Sequence, residues 1–431
     1  MLGFLLCTCL AISGADETTG GSNLAARVDA LVNQLDAREL HARDEAERKL
    51  LAIGTEALPL LPTLGQQTPP EVALRLARIQ QKLLTAQAAR AAEPTELTLQ
   101  AKHMPLADVL AEIAKQTGNP IVDHRQNFGE QKTDVRITTN FDKTPFWQAL
   151  DQVLDQGNLT LYGFTGQRGA FVVNRPMGEI PRSQRAVYAG VFRLEPARFE
   201  AVRSLRNDRE RALKYFMEVT WEPRLQPIAI LQPLRSVSAV GDDGQVIPVT
   251  NSVAEPEALL REGIAAAELE IPLALPKRNV AKIRSLRGKL VALIPGPRHD
   301  FRFRLPPLDA KHTLSARLEQ RQAGTTVTID QVRKNNHAWE VSLRVKFDHP
   351  SNALESHRGW ILENEAFFQN SSGERIKPVG FEQTRQGRDE VGLNYLFDLH
   401  GSPDKLELVY RTPTTILELG VDYEFRDLTL P

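Results

Sequence analysis

One unit occurs twice between about Glu96 and Pro176, and no other stretch constrains the fold as much. The first copy reads Met104-Pro105-Leu106-Ala107-Asp108-Val109-Leu110, then Ile113, Gln116, Gly118 and Asn119. The second reads Thr144-Pro145-Phe146-Trp147-Gln148-Ala149-Leu150, then Val153, Gln156, Gly157 and Asn158. In each, Pro stands where a first helical turn accepts a residue without an N–H. Apolar residues at i, i+3, i+4 and i+7 then draw one stripe along a helix. A Gly (Gly118, Gly157) follows where the chain leaves the helix left-handed. Alternating strands precede the helices (Leu97, Leu99, Ala101; Val135, Ile137, Thr139), and short ones follow (Ile121-Val122; Leu159, Leu161).

That order predicts a small βαββαββ domain over 94–178, with both helices on one face of a sheet. It resembles the short N-terminal domain of secretins and TonB-dependent receptors. The residues that carry the resemblance are Leu97-Thr98-Leu99, Pro105 to Leu110, Ile113-Ala114, Thr117 to Val122, Ala149-Leu150 to Leu154, and the hairpin from Leu159 to Val173 across Gly166 and Gly169. The resemblance implies a periplasmic protein–protein module that assembles rings or touches an inner-membrane partner. Neither a secretin barrel nor a receptor barrel follows, so the partner stays open. Binding would use strand edges or outer helix faces, unless another part of the chain covers them. Asp123-His124-Arg125 reads as a polar turn and Trp147 as helix-face packing.

Residues 1–15 form an apolar run ending in Ser13-Gly14-Ala15, which suits a signal peptide, although no Lys or Arg precedes it. A frayed apolar terminus is the other reading. Both cysteines, Cys7 and Cys9, lie in this run, so a processed chain has neither disulfides nor Cys-based sites. A linker at 16–23 leads to a helical segment over 24–92, with Gly54 as a C-cap and a helix start at Thr68-Pro69-Pro70-Glu71. Arg43 to Arg48, Leu51 to Gly54, Ala57 to Leu61, Glu71-Val72 and Arg75-Leu76 resemble HEAT-type repeats. Such repeats stack on neighbours, and their mixed charges read as a solvated surface.

Beyond 185 the pattern becomes short alternating strands, and it repeats. Phe216 to Pro223 parallels Ser342 to Pro350; Val240 to Pro248 parallels Gln369 to Pro378; His299 to Leu305 parallels Asp422 to Leu428. This predicts two tandem antiparallel β-sandwiches, 185–308 and 312–431, with a helical insertion at Glu255 to Ala267 in the first. They resemble domains of secreted bacterial proteins, a likeness that carries no function. From Lys277 to Arg304 cations outnumber the single acid Asp300. Lys282, Arg284, Arg287 and Lys289 are the candidate polyanion-binding residues, against the plainer reading of outward-facing charges on strands.

A formal charge of −1 argues against a nucleic-acid binder, and 42 % apolar with 25 % charged residues is ordinary for a globular protein. No phosphate loop, Gly-x-Ser-x-Gly elbow or His-Glu-x-x-His occurs. His299-Asp300 and Asp348-His349 are poor metal candidates. We therefore expect no catalytic, cofactor or metal residues, no cofactor, and no transmembrane span once a signal is removed. The expected role is an exported, periplasmic or extracellular, non-catalytic interaction or scaffold protein of the bacterial cell envelope. A binder of anionic cell-wall polymer and a hydrolase with an unrecognised site are the alternatives.

Overall fold

The structure, a computed structural model, describes residues 18–62, 68–129, 135–163, 167–207, 211–260, 263–309, 314, 316–335 and 337–431, without the side chains of 18–22 and 128. The expected signal segment and both cysteines lie outside these residues, as does Gly166. The chain is a multidomain α+β protein with a short helical part and many antiparallel sheets. It divides into two compact units, Met1–Gln87 with Arg321–Gly324, and Ala88–Gln320 with Thr325–Pro431.

The helical unit contains α1 (Thr18–Gln34), α2 (Leu40–Ile53), a 3-10 turn (Gly54–Leu60) and most of α3 (Pro70–Ala91). Helix α1 begins inside the stretch expected as a linker. Gly54, at φ 81°, ends α2 as expected. Val28, Leu35, Leu50, Leu76 and Ile79 meet in one core. Not every charge here is solvated. Glu47 and Arg75 are buried and paired at 3.1 Å, with Arg75 also on Asp44 at 2.8 Å and Glu71 at 2.7 Å.

In the larger unit the two copies of the repeat build α4 (Leu106–Thr117) and α5 (Phe146–Gln156). The preceding strands, Glu96–Pro105 and Arg136–Pro145, pair antiparallel with each other. The strands that follow, Ile121–Asp123 and Leu159–Tyr162, flank Ala170–Asn174 in a second sheet, so the single expected sheet is two. The copies match in detail. His103 and Lys143 both have positive φ, 51° and 45°. Their N–H groups donate to the Thr138 and Thr98 hydroxyls, at 3.2 and 3.1 Å. Gln116 and Gln156 each accept from the backbone N–H of Thr98 and Thr138, at 3.1 and 3.2 Å. One expectation fails: Gly118 is left-handed (φ 69°), but in the second copy Asn158 takes that conformation (φ 52°) and Gly157 stays helical. Gly157 is needed for space, because a Cβ there would lie 2.9 Å from Leu159.

Two pairs of antiparallel sheets follow, each pair about its own apolar core and here called a sandwich; their strand orders match apart from Ala229–Leu231 in the first and Gly380–Gln386 in the second. In the first, the sheet Ala266–Leu273, Arg211–Trp221, Phe192–Arg203, Val187–Ala189 faces the sheet Val246–Ile247, Ser238–Gly241, Lys282–Pro295, Ile416–Thr429. In the second, Gly380–Gln386, Glu390–Phe397, Ala338–Phe347, Thr325–Asn335, Leu318–Gln322 faces Arg375–Ile376, Glu365–Gln369, Glu407–Pro413, Arg298–Arg304. The fourth strand of each second sheet comes from the other half of the chain. Arg298–Arg304, expected in the first sandwich, pairs with Glu407–Pro413 in the second; Ile416–Thr429, expected in the second, pairs with Lys282–Pro295 in the first. The two pairings share one register, bridged by Gly296 N–H to Thr415 O at 2.9 Å. A single two-stranded ribbon thus runs through both sandwiches, across the boundary expected between 308 and 312. The expected helix at Glu255 to Ala267 is also absent among the described residues of that stretch. Ala258 N–H donates to Ile230 O and Gln232 N–H to Pro256 O, both at 2.8 Å, so the backbone around Pro256 lies extended beside Ala229–Leu231.

Candidate functional site

In α5, Asp151 sits four residues after Trp147, on one helical face. That face is covered by the first sandwich. Arg193, with no exposed surface, meets the equally buried Asp151 at 3.2 Å and lies over the Trp147 ring, 5.1 Å from its centroid. The Trp147 indole N–H donates to Val191 O at 3.1 Å, and the Tyr188 hydroxyl to Asp151 at 2.8 Å. Glu195 and Glu218 approach Arg193 at 3.2 and 3.5 Å, and Arg182 lies 3.3 Å from Glu195. Burial alone would push the Arg193 guanidinium down, but Asp151, Glu195 and Glu218 outweigh it and hold it up. Burial also pushes the Glu195 carboxyl up, against Arg182 and Arg193. A second cluster sits at the start of the module. The buried Glu222 accepts from Thr95 N–H (2.8 Å), the Thr95 hydroxyl (2.9 Å), Asn119 (3.1 Å) and Arg224 (2.7 Å). These groups fix the module to the sandwich, and the buried charges are offset by their pairing and hydrogen bonds.

The equivalent face of α4 has no such cover among the described residues. Ala107 and Ala111, the counterparts of Trp147 and Asp151, are exposed, as are Asp108 and Lys115, the counterparts of Gln148 and Asp155. Val122, on the neighbouring edge strand, is 41 % exposed. This α4 face, with the edge Ile121–Asp123, is the candidate binding surface. It is small-sided and mixed in charge, which allows close approach of a partner's backbone.

The sequence-predicted cations lie elsewhere, on the outer side of Lys282–Pro295. Lys282 pairs with Asp427 at 2.5 Å and Arg287 with Glu424 at 3.0 Å, while Lys289 stands opposite Asp422 across the ribbon. Arg284 is exposed and carries no ion pair among the described residues. The acids that face these cations lie on Ile416–Thr429, so the local sequence overstates their positive charge. Further along, Asp300 is shared by Arg302 and Arg411, both at 2.7 Å. Arg411 holds the Asp300 carboxyl below its usual range, against partial burial.

The remaining candidates are structural. Asp123 accepts a two-pronged contact from the buried Arg125 at 3.0 and 2.9 Å, and His124 packs edge-on against Phe171 at 5.4 Å. His299 is half-buried, and burial pushes its imidazole down. Among the described residues no three His, Cys, Asp or Glu side chains gather at metal-binding distance, and no helix is long and apolar enough to cross a membrane. A cleft of about 120 Å³ is lined by Arg168, Arg298, Arg358, Trp221 and Trp360. Arg358 there is already held by Glu257 at 3.0 and 2.9 Å.

Sequence reasoning missed Asp151 and Arg193. The available signal was an acid inside the apolar stripe Trp147, Leu150, Leu154; Arg193, which alternates with the core residues Phe192 and Leu194, lies on the outward face of its sheet and gave no local signal.

No protein-family model matches the chain, and no curated protein does. Among solved structures, a conserved domain protein from Bacillus anthracis aligns over 56 % of this chain and 89 % of its own, at 8 % identity and a TM-score of 0.13. A structure described as manganese lipoxygenase of Gaeumannomyces graminis with partial zonadhesin of Komagataella pastoris aligns over 54 % and 94 %, at 10 % identity and a TM-score of 0.15. Likenesses of that size carry no argument about fold or role, and the geometry above stands by itself.

Proposed function

We propose that this chain is an exported, non-catalytic interaction or scaffold protein of the bacterial cell envelope, whose repeat module presents the α4 face to a protein partner. One observation carries the reading: two equivalent helix faces exist, one already buries a partner surface within the chain, and the other is open among the described residues. The packing of the α5 face on the first sandwich, through Trp147 and Asp151, supports this use of the equivalent position on α4. The resemblance of 94–178 to envelope modules of secretins and TonB-dependent receptors supports the compartment and the class of partner.

The test is in-cell crosslinking of the tagged full chain, compared with Ala107→Arg/Ala111→Arg. Both alanines are exposed, so the folded state tolerates the change. A specific protein crosslink lost in the double variant supports the reading. An unchanged crosslink pattern, or none from the wild type, overturns it. The ion-paired ribbon gives no comparable support to the anionic-polymer alternative.

A further inference from the structure

Along one open side of the first sandwich runs a groove of about 600 Å³, a size typical of ligand sites. Its walls are the two sheet edges: Pro196 to Phe199 with Gln184 to Val187 on one side, and Glu424 to Thr429 on the other. The floor is aromatic. Tyr215 packs between Phe199, at 5.1 Å, and Phe425, at 5.9 Å. Val187 and Leu428 extend this apolar lining, and Ile180, half exposed, stands at its rim.

Among the polar groups of this lining, Tyr215 and Arg185 are uncommitted. Tyr215 is fully buried, yet its hydroxyl has no hydrogen-bond partner. A buried donor left unpaired is costly, and native structures rarely keep one without a use. Arg185 is exposed, lines the groove, and makes no side-chain hydrogen bond or ion pair among the described residues. Burial and Tyr423 push the Tyr215 hydroxyl up, against Arg185. The other rim cations are engaged, Arg198 with Glu200 and Glu268, and Arg426 with Glu424.

We propose that this groove binds a long-chain carboxylate, with the chain over Phe199, Tyr215 and Phe425 and the carboxylate taken by the Tyr215 hydroxyl and Arg185. A neutral chain would leave Arg185 unanswered, and a cationic one would oppose it. An added peptide strand fits less well. The adjacent edge carries the charges of Glu424, Arg426 and Asp427, and Asp427 is left-handed at φ 52°. Charges and irregular backbone are what block edge-to-edge strand addition.

The experiment is calorimetric titration of the full chain with laurate, dodecanol and dodecyltrimethylammonium, each below its micelle concentration. Laurate should saturate a single site, and dodecyltrimethylammonium should bind at least about tenfold more weakly, as loss of a charged hydrogen bond implies. Arg185→Gln should weaken laurate about tenfold and leave dodecanol unchanged. Tyr215→Phe, which keeps the ring packing, should weaken laurate severalfold, and Val187→Trp should fill the groove and abolish binding. The proposal fails if laurate does not saturate, if the cationic amphiphile binds equally well, or if Arg185→Gln leaves laurate affinity unchanged. It is independent of the α4 reading, since Ala107→Arg/Ala111→Arg should bind laurate like the wild type.

Discussion

Replacing Asp151 with Ala should release α5 from the first sandwich. Arg193 has no exposed surface and would lose its contact at 3.2 Å, and the Tyr188 hydroxyl would lose its acceptor at 2.8 Å. Breaking a buried ion pair by removing one partner costs about 3–5 kcal/mol. Glu195 and Glu218 remain within 3.2 and 3.5 Å of Arg193, so the lower end applies, about 3 kcal/mol. That corresponds to about a hundredfold faster amide exchange in α5 and Val187–Ala189 if docking limits their protection. Hydrogen exchange read by mass spectrometry is the suitable assay, because a chain of several units does not unfold in one step. A double-mutant cycle with Arg193→Met sharpens the test. With the cation gone, the Asp151→Ala penalty should shrink to well under half, since most of it is the orphaned charge. Exchange that rises less than about threefold, or penalties that simply add, would refute the reasoning.

Four further outcomes are expected. Glu424 is held down to about 2 by hydrogen bonds from Arg426, Arg287 and Ser285. An acid whose folded value is depressed stabilises above its unfolded value and loses that contribution as pH falls toward the folded one. The stability gap between wild type and Glu424→Gln in urea should therefore be full above about pH 4.5 and close as pH approaches 2. Gly288→Ala would place a Cβ 2.3 Å from the Tyr423 hydroxyl, whose bond to Gln232 is 2.7 Å; calorimetric melting should show a loss of about 1–3 kcal/mol. In the two helix exits, Gly118→Ala should cost about 1–2 kcal/mol through backbone strain. Gly157→Ala should be costly only while Leu159 is large, so adding Leu159→Ala should remove its extra effect.

Helices α4 and α5 were legible because a Pro, a stripe of apolar residues and a Gln-Gly-Asn exit are local signals. The exit itself misled in the second copy, where Gly157 follows Gln156 directly while Gly118 stands two residues after Gln116, so Asn158 and not Gly157 falls at the left-handed position. The helix expected at Glu255 to Ala267 had composition in its favour, but backbone pairing with Ala229–Leu231 overrode propensity. Strand exchange left no local trace. Phe301 and Phe303 alternate correctly for either sandwich, and alternation specifies a buried face without naming the partner. Ion pairs were hidden for the same reason, since Asp422, Glu424 and Asp427 neutralise cations distant in sequence. Outer helix faces were expected as one route to binding, with nothing local to choose between α4 and α5. Which of two faces stays open depends on Arg193, a residue outside the module.

The ribbon also dictates an order of events during synthesis. Lys282–Pro295 emerges with the rest of the first sandwich, yet its neighbour Ile416–Thr429 follows only after the second sandwich has been made. Until then the first sandwich has an open seam lined by Ile283, Leu286 and Leu290, a site for mispairing with other nascent chains. Neither half can finish by itself, so folding is completed in a late, long-range step of the kind that makes β-rich chains slow. For a chain that crosses a membrane before folding, such a delay would be an advantage: it keeps the polypeptide threadable until its last strands arrive.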